Sequence, residues 1–318
     1  NDEFADFELF DNMINVGQPS QITNGFFRQG LAQGMILEAQ LGSNPYKMGI
    51  VAGADSHSAY SNTEEFGFHG SHGATDDTPQ KRLNPAMSPA GEPAAVVSTA
   101  GLTAIWAEEN TRASLFDSMA AKETYGTSGT FIRLRFFGGW DYSADLDKDS
   151  EFVKQAYQYG VPMGQDLPKM QSGAKAPTFA VWALKDPESG NLDRIQIIKS
   201  FVNKWGRPGE KIYDVAISDG RKADAKTGKV PPVGNTVDIK KATYTNDIGD
   251  SQLSVVWTDP DFDPAQRAAY YVRVLEIPTP RWTTYDAARN NLPLSELVPA
   301  TIQERAWSSP IWYTPAAK

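Results

Sequence analysis

The chain has 318 residues, a net charge of −9 and 40% hydrophobic residues, enough for two domains with a core in each. The acidic balance argues against non-specific nucleic-acid binding, which needs Lys and Arg to neutralise phosphates. No run of ~18 apolar residues is present to span a bilayer. Cysteine is absent, which excludes disulfides, thiolate zinc sites and cysteine nucleophiles.

Residues 1–20 are acidic and aromatic, with Phe4, Phe7, Leu9 and Phe10 reading as the inside of a domain. The start has no Met, basic n-region or apolar h-region, so the chain is expected to be the C-terminal part of a larger protein. From about Asn24, which would cap it, a helix is predicted with Phe27, Leu31 and Met35 on one stripe. Gly42, Asn44 and Pro45 end it. Met48–Ala54 follows, every residue apolar or small, and reads as a buried strand. It stops at Asp55-Ser56-His57. Residues two apart on a strand point the same way, so Asp55 and His57 could reach one cation if the backbone stays extended. Carboxylate plus imidazole suits Zn²⁺, Mn²⁺ or Fe²⁺. The plainer alternative is that Asp55 caps a turn and His57 is a surface residue.

Ser58 to Pro89 is predicted as a long loop holding the other two histidines, His69 and His72. Either could touch the metal centre or a substrate, or both could be exposed on a Gly-rich loop. Glu64 and Glu65 could supply a ligand or a general base, or simply form a solvated turn. Leu102–Ala107 is a second strand candidate. Asn110 could cap a helix running to about Lys122, with Leu115, Phe116 and Met119 as its apolar stripe. Glu108, Glu109 and Arg112 sit at that strand-to-helix junction. Arg112 could bind an anionic substrate group through paired N–H donors, or pair with Glu108 or Glu109.

From Thr130 the texture changes to strands punctuated by turns: Phe131–Phe137, Thr178–Leu184, Leu192–Lys199, Lys211–Ile217, Gln252–Thr258 and Ala268–Ile277. Such a series predicts an antiparallel β-sandwich. Asp145, Asp147 and Asp149 open like a calcium-binding EF-hand loop, but Ser150 and Ala156 stand where it needs Gly and Glu, so calcium is rejected there. Tyr285–Asn290 is predicted as a turn or two of helix. Glu304–Tyr313 is predicted as a final strand kept at an edge by Pro310. Arg281, Trp282, Trp307, Trp312 and Tyr313 suggest an aromatic cluster, for ligand stacking or interdomain packing.

Several longer motifs carry a resemblance. GSNPYKMGIVAGADSH, AEENTRASLFDSMAAKETYGTSG (107–129), GVPMGQDL (160–167), LDRIQIIK (192–199), WTDPDFDPAQRAAYYVRVLEIPTPRW (257–282) and ERAWSSPIWYTP (304–315) resemble the bacterial family DUF3604. That family looks like a branch of the polymerase-and-histidinol-phosphatase (PHP) superfamily of metal-dependent hydrolases. The resemblance implies an α/β plus β fold. Residues 1–129 would be the C-terminal part of a PHP-like, distorted TIM-type α/β barrel, and residues 130–318 the β-sandwich.

It also implies a metal-dependent hydrolase, in the first instance a phosphoesterase, in which metal-activated water attacks a small-molecule ester. Asp55 and His57 match the superfamily's last metal-binding motif. The early H-x-H motif would lie upstream, and none occurs in this chain. A full site, with more than one Zn, Mn or Fe ion, would therefore need the missing N-terminal part as partner. The alternatives are a metal hydrolase acting on sulfate esters or amides, and a non-catalytic carbohydrate- or protein-binding module. Family members often look exported, which implies a periplasmic or secreted location and leaves a cytoplasmic one open.

Overall fold

A computed structural model describes residues 26–60, 62–85 and 93–316. In chain order its first part holds α1 (Phe27–Leu41), α2 (Pro79–Arg82), β1 (Leu102–Ile105), α3 (Arg112–Ala120) and β2 (Thr124–Thr127). Then come β3 (Arg133–Gly139), α4 (Phe152–Tyr159), β4 (Gly160–Pro162), β5 (Thr178–Leu184), β6 (Leu192–Val202) and β7 (Pro208–Ile217). The last part holds β8 (Gln252–Thr258), β9 (Arg267–Glu276), β10 (Thr279–Pro280), α5 (Trp282–Asn290), β11 (Thr301–Ile302), β12 (Arg305–Ser308) and β13 (Ile311–Tyr313).

Two antiparallel sheets carry the architecture. The larger runs β1-β2-β12-β9-β6-β7 with β13 also on β9, and the smaller runs β4-β3-β5-β8. Side chains alternate across a strand, and β9 shows what the alternation does. Tyr270, Val272 and Val274 enter the core shared with Phe136, Phe179 and Val181 of the smaller sheet. Across that core the rings of Phe179 and Tyr270 lie 4.5 Å apart. On the other face of β9, Ala269 and Tyr271 meet Leu31 and Met35 of α1. Burying each of those two helix side chains is worth roughly 2 kcal/mol. Phe152 and Ala156 of α4 cover the outer face of the smaller sheet against Phe137 and Ala180. The result is a β-sandwich clad by a helix on each side.

Thr178–Leu184 and Gln252–Thr258 form strands with the expected bounds, and the other four expected strands differ by a few residues at their ends. The Asn24 cap and the aromatic segment of residues 1–20 lie outside the described residues. Other expectations are corrected. The α/β units expected of part of a barrel are not found among the described residues, where the sheets are antiparallel; that none closes was itself expected of so few strands. Instead β1 and β2 hydrogen-bond to each other and, through β12, to β9.

Met48–Ala54 forms no strand and belongs to no ladder. Its backbone is paired mostly by hydroxyls: Ile50 N–H donates to Ser309 Oγ at 2.8 Å and Ala52 N–H to Thr103 Oγ1 at 3.0 Å, while the Gly53 carbonyl accepts from Gly101 N–H at 3.1 Å. It lies against glycines, since a Cβ on Gly101 would meet Ala52 Cβ at 2.8 Å. Val51 is left 68% exposed. The cap of α3 is Thr111, whose hydroxyl accepts from Ser114 N–H at 3.3 Å. Its apolar stripe is not buried, with Phe116 65% exposed. Pro310 marks the break between β12 and β13, and β12 is internal, between β2 and β9. The expected aromatic cluster is divided. Trp282 packs on Phe68, Trp312 and Trp307 lie on the α1 side, and Tyr313 meets Trp140 and Phe262.

Candidate functional site

Asp55 follows this run with φ of 47°, a left-handed conformation that Asp tolerates better than most residues. The backbone is therefore not extended through the motif. Even so, Asp55 Oδ1 stands 3.5 Å from His57 Nε2, and both side chains are largely exposed. His57 N–H donates to the Ser71 carbonyl at 2.7 Å. That bond brings in His72, whose ring stacks on His57 with centroids 4.8 Å apart. His69 is turned elsewhere, edge-on to Tyr60.

The loop carrying His72 is built around Asp76, whose buried carboxylate accepts from Ser71 N–H at 2.7 Å and His72 N–H at 2.8 Å. Ser71 Oγ in turn meets His72 Nδ1 at 2.7 Å. Gly70 is required there: it has φ of 93°, and a Cβ would fall 2.4 Å from the Asp76 carbonyl. Arg82 ties this loop to α5, with its Nη1 on the Asp76 carbonyl and a paired contact to Asp286 at 2.8 and 3.1 Å. Among the described residues no three His, Asp or Glu side chains are arranged to hold a metal ion.

Glu64 and Glu65 lie apart from the histidines. Glu65 is buried and accepts from the Trp282 N–H at the start of α5 and from Thr99 Oγ1. With Glu64, Asp186, Glu188 and Glu304 it lines a small cavity of about 40 Å³. Burial raises the Glu64 carboxyl. Burial, then the neighbouring Glu65 charge, holds Glu304 well above the carboxylate range. Just behind, fully buried Glu276 is pushed up to about 8 by desolvation.

Arg112 is exposed at the start of α3, and no ion pair to it occurs among the described residues. A cavity of about 830 Å³ opens beside α3, lined by Trp106, Glu108, Glu109, Glu123, Arg135 and Tyr157 among others. Its cation is Arg135, stacked 3.3 Å over the Trp106 ring and donating to Tyr157 Oη at 3.2 Å. Tyr157 donates to Glu123 and is pushed up to about 12, chiefly by burial.

Asp76, Arg135, Glu276 and Glu304 were not singled out from the sequence. Asp76 had a local signal, an acid four residues beyond a histidine in a Gly-rich loop. Glu276 and Glu304 had none, because β9 and the start of β12 meet Glu65 only through tertiary packing. No curated protein and no solved structure matches the chain. The family model described as "Protein of unknown function (DUF3604)" matches residues 1–315, and the chain belongs to that family.

Proposed function

We propose that the chain contributes to the site of a metal-dependent hydrolase acting on small phosphoesters, with Asp55 and His57 as ligands of a Zn, Mn or Fe ion. The observation that carries this reading is the 3.5 Å approach of Asp55 Oδ1 to His57 Nε2 on an exposed loop end. Oxygen and imidazole nitrogen are the donors such ions take, but a zinc site needs at least three protein ligands. The pair fits as half of a ligand set. The remaining donors would come from the upstream polypeptide that the PHP-like reading calls for.

A bound divalent ion would supply Lewis acidity toward the ester oxygen. The chain's own residues do the positioning. Asp76 fixes the backbone of Ser71 and His72, and Ser71 fixes one nitrogen of His72, whose ring stacks on His57. Glu65 is committed to the N-terminus of α5, and this reading gives it no catalytic role.

Calorimetric titration of Zn²⁺ and Mn²⁺ into the complete protein, wild type and Asp55→Ala or His57→Ala, tests the reading. Loss of at least one bound ion together with loss of phosphoester hydrolysis is expected. Undiminished metal and activity in both variants would leave Asp55 and His57 as surface residues.

A further inference from the structure

Lys199 stands where the pattern of β6 calls for an apolar side chain. Side chains alternate across a strand, and the residues on the same face, Ile195, Ile197 and Phe201, pack into the core between the two sheets. The lysine is buried there all the same, its side chain 3% exposed, and the carboxylate it meets, that of Asp259, is fully covered. Nζ donates to Asp259 Oδ2 at 2.6 Å and to the Asp261 carbonyl at 2.9 Å. Asp259 follows directly on β8 of the smaller sheet, so the contact crosses the sandwich. Two more donors converge on the same carboxylate. Tyr270, the cross-strand neighbour of Lys199 on β9, donates its hydroxyl to Oδ2 at 2.7 Å. The Asp261 N–H donates to Oδ1 at 2.9 Å.

We propose that Lys199 and Asp259 condense to an intramolecular isopeptide bond that ties β6 to the end of β8. The parts of an acyl transfer are in place. Lys199 Nζ is the nucleophile, oriented by the Asp261 carbonyl, and Asp259 Cγ is the electrophile. The Asp261 N–H faces the oxygen on which negative charge develops, and the Tyr270 hydroxyl faces the oxygen that departs. One proton moves from the ammonium to Oδ2, giving amine and carboxylic acid, a neutral pair that burial favours over separated charges. The Nζ lone pair then forms the bond to Cγ, and a second proton leaves Nζ. The Cγ–Oδ2 bond breaks and Oδ2 departs as water with both protons. The amide keeps one N–H, and no oxidant or co-reactant enters. The fold holds the two groups in contact, which replaces an encounter with an intramolecular step. The rings of Phe201 and Tyr270 lie 5.8 and 5.7 Å from Nζ, and water kept from the finished amide cannot hydrolyse it. The chain has no cysteine to tie the sheets by a disulfide. A link from 199 to 259 closes a long loop and restricts the unfolded chain in the same way. It is independent of Asp55 and His57.

Intact-mass spectrometry of the full chain, incubated folded at neutral pH, tests the bond. The wild type is expected to be lighter than its sequence by one water. Tryptic digestion should give the peptides of Lys199 and Asp259 as one branched species, uncut after Lys199. Lys199→Met with Asp259→Leu removes both charges together, which spares the fold a stranded ion, and should keep its full sequence mass. Tyr270→Phe keeps the ring and should slow the loss of water at least about tenfold; a wild-type rate there removes Tyr270 from the reaction. Full sequence mass in the wild type overturns the proposal and leaves a buried ion pair. A loss of water that the double variant retains, or that maps to a succinimide at Asp219-Gly220, overturns it equally.

Discussion

The imidazoles of His57 and His72 stack with their planes 16° apart, and what keeps them there is Asp76. Its carboxylate is 3% exposed and accepts from two backbone N–H groups and the Ser71 hydroxyl. Asp76→Ala leaves those donors unpaired, at a cost of roughly 3 kcal/mol, since hydrogen bonds to a charged group are among the stronger ones. Urea unfolding is expected to show that loss, with faster amide exchange at Ser71 and His72. Asp76→Asn keeps one acceptor and is expected to lose less. Equal stability of wild type and Asp76→Ala would mean that the loop does not depend on this carboxylate.

Stability is expected to fall as pH rises from about 4.5 through about 8. Glu276 is fully buried, and desolvation raises its pKa from 4.5 to about 8. Between those values the folded state holds a proton that the unfolded state has lost, so stability decreases with pH. The contribution is complete below the unfolded pKa and gone above the folded one. Glu304 is shifted in the same direction. Glu276→Gln removes one titration, and its unfolding free energy is expected to vary less with pH between 5 and 8, values that bracket this window. A wild-type curve flat across that range would refute a protonated Glu276.

The sandwich was legible because its strands are local: Thr178–Leu184 and Gln252–Thr258 are β-branched and aromatic runs between turn signals, and each pairs antiparallel in the same sheet. Met48–Ala54 carried an equally apolar signal and misled. Composition reports the wish for burial, but not whether the hydrogen bonds come from a strand or from Ser309 and Thr103 hydroxyls. The clustering of the histidines suggested that more than one could share a place, and His72 does meet His57. Nothing local announced that Glu65, Glu276 and Glu304 converge, because that depends on how β9 and β12 register.

The Arg82–Asp286 pair is a second hold on the same layer. Both groups are nearly buried and the contact is two-pronged. Arg82→Ala strands the Asp286 charge and is expected to cost about 3–5 kcal/mol in chemical denaturation, as broken buried pairs do. Arg82→Met with Asp286→Leu removes both charges and should recover much of that loss. A double variant no more stable than the single one would show that packing, not the stranded charge, sets the cost.

Arg112 and Arg135 lie on the same side of the molecule, one at the start of α3 and the other in the cavity beside that helix, and are expected to answer differently to alanine. Arg135 stacks on Trp106 and bonds Tyr157, with Glu123 3.7 Å away. Arg135→Ala is expected to cost about 2 kcal/mol through the lost stacking and the unpaired acid. Arg112 is exposed with no ion pair among the described residues, so Arg112→Ala should leave stability within about 0.5 kcal/mol of wild type. That makes Arg112 a clean probe of substrate binding. If it holds the anionic group of a phosphoester, Arg112→Ala lowers turnover of the complete protein by ~10²-fold, the scale for one lost transition-state donor. Metal content and unfolding should be unchanged. Arg112→Lys should restore only part, because a point charge does not reproduce a paired guanidinium contact. Turnover equal to wild type in Arg112→Ala would remove Arg112 from the site and leave Arg135 as the cation of that cavity.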